Sequence, residues 1–193
     1  MKKFLNVEKI TNNKWLNLYS ANYRLPSGKN YVYYFASRRN GKNLTIKGSN
    51  YLDAVRVLPY YKQNNKTYVV VIKEFRHPID KYIYSTPAGL IDEGETSKIS
   101  AIREVEEEIG ASVLNLKLVQ QGAYTSAGLT DEKNVIFEAE IKLDKQQKLE
   151  ESEEITFLSI PVEEIINFVD NNEFCLQSAL HLKMFYYKNI NNI

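Results

Sequence analysis

The sequence predicts a mixed fold, α+β or an α/β sandwich built on a mixed sheet. Three observations carry that expectation. Residues 14–60 alternate short β-branched or aromatic runs with turn residues, a helical period occupies residues 96–109, and strand patterns then give way to two C-terminal helices. A β-rich start, one helix, more strands and closing helices is the element order of such folds.

Taken in order, 23–28 (YRLPSG) reads as a turn, with Pro26 ahead of Gly28, between two strand-like runs. Residues 31–36 are aromatic and β-branched, which suits a strand. Asn40-Gly41 marks a tight turn. Residues 55–58 and 68–72 read as strands, the second buried on both faces, joined by a polar hairpin loop at 62–66 that holds Asn64-Asn65. Residues 113–119, 135–141 and 155–160 are again strand-like. A helix starts at Pro161, placed as proline is at a first turn, and another spans 176–187.

The chain of 193 residues is 44% hydrophobic, with eight glycines and five prolines. It can build one good core with a small appended region, and its composition argues against disorder. The single cysteine, Cys175, excludes an intrachain disulfide framework, and with only His77 and His181 as histidines any metal must be held mainly by oxygen. The N-terminus has no apolar run of signal-peptide length and no stretch is long enough to span a membrane, so the expected location is the cytoplasm. A net charge of +1 hides a division. Residues 1–89 carry 16 Lys/Arg against 4 Asp/Glu, and residues 90–193 carry 9 against 20. That asymmetry suits a site joining an anionic ligand to a cation.

The chemistry concentrates in residues 87–110. On a helix, Glu104, Glu107 and Glu108 share one face, because i, i+3 and i+4 lie within roughly 100° of arc. Ala101, Ile102, Val105 and Ile109 fall beside them and are expected to bury. Arg103 lies where it can brace a carboxylate, and Gly110 ends the helix. Like charges at i,i+4 cost about 0.2–0.5 kcal/mol per pair, a repulsion that a bound divalent cation removes.

Gly89, five residues, Glu95, seven residues, Arg103-Glu104-Val105, then Glu107-Glu108, one residue and Gly110 resemble the Nudix box, with its last aliphatic position relaxed to Ala111. The whole chain resembles a Nudix hydrolase of the ADP-ribose pyrophosphatase type. The resemblance implies an α/β/α sandwich with a mixed sheet over residues 53–193. Before it, residues 1–52 would form a small strand region for dimerisation and base binding, which in the homodimers usual in this subgroup completes the partner's site. It implies metal ligation by the Ala88 carbonyl, Glu104, Glu108 and Glu153, with Mg²⁺ as the cation and Mn²⁺ an alternative. Glu151 of the acidic run 150–154 would be the general base, Glu107 a further ligand or orienter, and Arg103 the brace, with Gly89 letting the backbone turn toward the metal. Trp15 and Tyr33 would clamp a purine, and Arg38 and Arg76 would contact phosphate or ribose.

The implied reaction is hydrolysis of ADP-ribose or a related nucleoside diphosphate sugar to AMP and a sugar phosphate, with no nucleic acid or membrane as partner. Residues 122–132 resemble the loop that identifies the subgroup, but Ala127 stands where proline is usual. That departure leaves GDP-mannose or UDP-glucose open as the main substrate. A third reading, a nucleotide-binding regulator without turnover, has the intact charge cluster against it.

Overall fold

The structure, a computed structural model, describes residues 1–190. The described residues form two compact units, residues 1–53 with 122–134, and residues 54–121 with 135–190.

The first unit is built on an antiparallel meander of β1 (Lys3–Lys9), β2 (Asn17–Arg24) and β3 (Asn30–Ser37). Strand alternation and register put Tyr19, Ala21 and Tyr23 opposite Phe35, Tyr33 and Tyr31, so one face of the sheet is aromatic. The Tyr19 and Phe35 rings stack with centroids 5.5 Å apart. Residues 122–134 are fastened to this sheet, since the Ala36 N–H donates to the Leu129 carbonyl at 2.8 Å. Beneath them Arg39 is a buried hub. Its guanidinium donates to Asp53 at 2.9 and 2.5 Å, to the Tyr51 carbonyl at 2.9 Å and to the Thr45 hydroxyl, and lies 3.5 Å from Asp131.

The second unit carries a seven-stranded sheet. Its main path is β10 (Ile155–Pro161), β5 (Lys66–Arg76), β4 (Ala54–Gln63), β9 (Lys133–Leu143) and β8 (Ala111–Tyr124), with β6 (Lys81–Ser85) on β5 and β7 (Ala88–Leu90) on β4. The β4–β5 hairpin turns on Asn64 and Asn65, both at positive φ (51° and 61°), the backbone a two-residue turn between twisted strands requires. The helices are α1 (Ser97–Ile109), α2 (Ile165–Asp170) and α3 (Leu176–Asn189). Pro161 is followed by a single 3-10 turn before α2, so the helix expected from residue 161 is shorter and starts later.

The two faces of this sheet follow from period-two alternation along β4. Val55 is paired with Gly89, and a Cβ on Gly89 would point at Glu104 of α1, so Val55, Val57 and α1 share one face. Arg56 is paired with Ala88 and bonds to Ser178 of α3, so Arg56, Leu58 and α3 share the other. Leu58, Val69, Val71, Ile160, Leu182 and Phe185 form the core on that second face. Helices therefore cover both faces, the sandwich the sequence suggested.

Candidate active site

Helix α1 begins where the Thr96 hydroxyl accepts from the Ile99 N–H at 3.3 Å, and ends at Gly110, whose left-handed backbone (φ 65°) lets its N–H close on the Glu106 carbonyl. Between these caps Ala101, Val105 and Ile109 are buried as expected. Ile102 is not; it is 37% exposed, because the buried arc is narrower than the apolar pattern suggested.

Arg103 braces more than one carboxylate. It donates to Glu104 at 2.7 Å, to Glu107 at 3.1 Å, to Glu95 at 3.2 Å and to the Leu90 carbonyl at 3.0 Å, and so ties the 90–95 loop to the helix. The Ser100 hydroxyl, with help from Arg103, holds the Glu95 carboxyl below its usual range. Glu104 (7% exposed) and Glu108 (3% exposed) differ in kind. Burial pushes Glu104 up to about 7 against the pull of Arg103. Burial also raises Glu108 well above the carboxylate range, and the neighbouring Glu104 and Glu74 add to the effect. Two acids are thus held in a setting that penalises their charge.

Strand β7 meets these carboxylates edge on. The Ala88 N–H donates to Glu108 Oε2 at 3.2 Å. Gly89 is not in the left-handed region, so the turning role expected of it is corrected to a different one: its missing Cβ makes room for the Glu104 carboxylate. A pocket of about 270 Å³ opens here, lined among others by Glu74, Arg76, His77, Ala88, Glu108 and Glu153. Arg76 is ion-paired with Glu74 at 3.2 Å. The neighbouring Glu154 accepts from the Tyr82 hydroxyl. Glu151 is exposed in the turn that precedes Glu153 and does not line this pocket, and neither does Glu107. Glu74 and His77 escaped the sequence reading. The available sign was the alternation that puts Glu74 and Arg76 on the same side of β5.

In the first unit, Tyr33 donates its hydroxyl to the Gly128 carbonyl at 2.5 Å and lines a cleft of about 270 Å³ with Phe35, Tyr124, Ala127, Thr130 and Asp131. Trp15 is 63% exposed under the Lys14 ammonium, and among the described residues its ring does not pair with that of Tyr33. Arg38 lies 3.8 Å from Glu132.

Residues 50–177 match the family model described as the NUDIX domain, about two-thirds of the chain. The chain belongs to the Nudix family. An ADP-ribose pyrophosphatase of Bacillus subtilis (strain 168) is 30% identical over 168 residues, covering 86% of this chain and 82% of that protein. An ADP-sugar pyrophosphatase of Mus musculus is 35% identical over 104 residues, covering 53% of this chain and 45% of that one. Among solved structures, the crystal structure of an ADP compounds hydrolase superposes with a TM-score of 0.75 at 19% identity, covering 100% and 97% of the two chains. It supports the fold.

Nudix hydrolases use divalent cations, and the donor set fits one. Among the described residues no three His, Cys, Asp or Glu side chains converge to cage an ion by themselves. Mg²⁺ does not need such a cage, because it is bound by one or two carboxylates while waters and substrate phosphates fill the rest. The close packing of Glu104 on Gly89, and of Glu108 on Ala88, supplies buried oxygen donors; Glu104 shares the single Arg103 with Glu95 and Glu107, and Glu108 has no cationic partner among the described residues.

Proposed function

We propose that this Nudix hydrolase cleaves the diphosphate linkage of ADP-ribose or a closely related nucleoside diphosphate sugar, giving AMP and a sugar phosphate. The observation that carries the reading is the buried pair Glu104 and Glu108, set against β7, with Arg103 bracing Glu104. The relatives named for ADP-ribose and ADP-sugar hydrolysis favour the substrate class.

The Ala88 carbonyl, Glu104, Glu108 and Glu153 would hold Mg²⁺, or Mn²⁺ in its place. When bound, the cation neutralises diphosphate charge and makes water a better nucleophile. Arg76 exchanges Glu74 for a phosphate oxygen and presents its planar fork to the substrate. Glu151, in the exposed turn two residues before the pocket-lining Glu153, would swing in to take the proton from the attacking water, while Glu107, held by Arg103 on α1 next to the pocket-lining Glu108, would orient that water. The leaving phosphate departs as the sugar phosphate. Tyr33 and Trp15 stack on the base, and Arg38 meets ribose or phosphate. Because Trp15 and Tyr33 do not pair within one chain, the clamp reading calls for a homodimer in which each copy completes the other's base site. The ligand is a small molecule rather than nucleic acid or a lipid surface, and the compartment is the cytoplasm.

Ala127 on the cleft wall favours a second reading, in which GDP-mannose or UDP-glucose is preferred. A panel of ADP-ribose, GDP-mannose and UDP-glucose with Mg²⁺, read as released phosphomonoesters, separates the two. ADP-ribose is expected to give AMP and ribose 5-phosphate at the highest kcat/KM. No release from any of the three would refute the proposal.

A further inference from the structure

Arg56 interrupts an otherwise apolar strand, Ala54-Val55-Arg56-Val57-Leu58, and it is 4% exposed. A buried guanidinium is costly unless paired. Among the described residues no carboxylate lies within ion-pair distance of it. It donates instead from Nη1 to the Ser85 hydroxyl at 2.7 Å, the Ser178 hydroxyl at 2.8 Å and the Thr86 carbonyl at 3.0 Å, and from Nε to Gln177 at 3.3 Å. All four acceptors are neutral.

Three of these contacts converge on one place, the Thr86–Pro87 joint between β6 and β7. Pro87 has no N–H to give to a ladder, and its carbonyl accepts from the Val57 N–H at 2.8 Å. Thr86 has its N–H on the Ser178 hydroxyl at 3.0 Å and its carbonyl on Arg56, so both its backbone groups are satisfied from the α3 face. The next residue but one is Ala88, the cross-strand partner of Arg56. Ala88 is thus gripped from two faces: Glu108 of α1 takes its N–H, and Arg56 with Ser178 of α3 sets the joint that leads into it.

We infer that Arg56, with Ser178, is a positioning residue for the cation site, setting where the Ala88 carbonyl faces Glu104 and Glu108. A guanidinium suits the task because its donors form a rigid fork, which fixes a hydroxyl, a carbonyl and a helix residue in one geometry. An apolar side chain of similar length would fill the space and leave the joint free to shift. The inference rests on the proposed ligation by Ala88, so the test must distinguish failure of the one from failure of the other.

The probe is Mn²⁺, with free ion read by electron paramagnetic resonance on the full chain, alongside thermal denaturation. Arg56→Met is expected to weaken Mn²⁺ binding ~10-fold or more, within the 10–100-fold loss that removal of a ligand's supporting partner causes. Ser178→Ala should weaken it a few-fold, and Arg56→Lys should recover part of the loss. Val169→Ala, in the same core but outside the hydrogen bonds that hold the joint, should lower the melting temperature and leave Mn²⁺ affinity alone. If Arg56→Met does not fold, Ser178→Ala and Arg56→Lys decide the matter. Wild-type Mn²⁺ affinity in both would overturn the inference while the cation site stands. No Mn²⁺ binding by the wild-type chain would remove both. Arg56-dependent binding without hydrolysis of any nucleoside diphosphate sugar would sustain the inference and remove the proposed substrate.

Discussion

Substituting Gly89 by alanine tests the packing of β7 on α1 at its tightest point. The new Cβ would overlap the carboxylate of Glu104 at three atoms, Oε1, Cδ and Oε2. The nearest of them lies 1.9 Å away, so Glu104 would have to retreat by about 1.5–2 Å to reach ordinary contact. It is not free to do so, because Arg103 holds it at 2.7 Å and it is buried. Overpacking of this kind costs about 1–3 kcal/mol, offset by the ~0.5–1 kcal/mol that replacing glycine in a strand returns. The net destabilisation is therefore modest, about 1 kcal/mol. The functional loss should be larger, since displacing a cation ligand or its support lowers affinity or activity ~10–100-fold. Thr96→Ala is the matched control. It removes the cap of the same helix, costs ~1 kcal/mol, and touches no carboxylate. Both variants are compared by thermal denaturation and by Mg²⁺ titration of hydrolysis. Equal melting temperatures with a raised Mg²⁺ half-saturation only in Gly89→Ala are expected. A wild-type Mg²⁺ profile in Gly89→Ala would refute the packing argument.

Other outcomes follow from the same geometry. Glu104 is raised to about 7 from an ordinary 4.5, so its protonated form stabilises the folded metal-free chain fully below about pH 4.5, and this contribution is lost as pH rises to 7. The loss is on the order of 2–3 kcal/mol and is read as the wild-type minus Glu104→Gln difference in unfolding free energy across pH 4–8; a flat difference would contradict it. By the same logic Mg²⁺ should raise the melting temperature more at pH 8 than at pH 5, since metal and protons compete for these oxygens. Glu151→Gln should lower kcat and move the acidic limb of the pH profile at constant Mg²⁺ half-saturation, whereas Glu153→Gln should raise that half-saturation and recover at high metal. Full activity in both would return the acidic turn to plain surface. Trp15→Ala should raise KM for an adenine substrate by ~1–3 kcal/mol with less change in kcat, and light scattering should show a dimer; a monomer would remove the shared base site.

Much of α1 was legible from sequence, because a 3.6-residue apolar period and a terminal glycine lie within 15 residues of one another. Its carboxylate face was legible for the same reason. What escaped is non-local or short. Strands β6 and β7 are five and three residues long, split by Thr86–Pro87, and exist because β5 and β4 are there to pair with them. By sequence Arg56 is one charge in an apolar run, and its partners Ser178 and Thr86 reach it only through the fold. Glu74 and His77 became pocket residues only when residues 152–155 were placed beside them. Likewise, nothing local in residues 122–134 says that they close against the N-terminal sheet, which depends on Tyr33 reaching Gly128 and Arg39 reaching Asp131.

Glu108→Gln is the change that bears most directly on the buried carboxylates as the seat of diphosphate hydrolysis. The amide keeps an oxygen for the Ala88 N–H, so the strand stays in place while the charge is lost. With ADP-ribose and saturating Mg²⁺, release of AMP should fall by ~10²-fold or more, the scale of losing one principal electrostatic stabiliser, with the melting temperature unchanged or raised. Turnover within a few-fold of wild type would show that the chemistry is carried elsewhere.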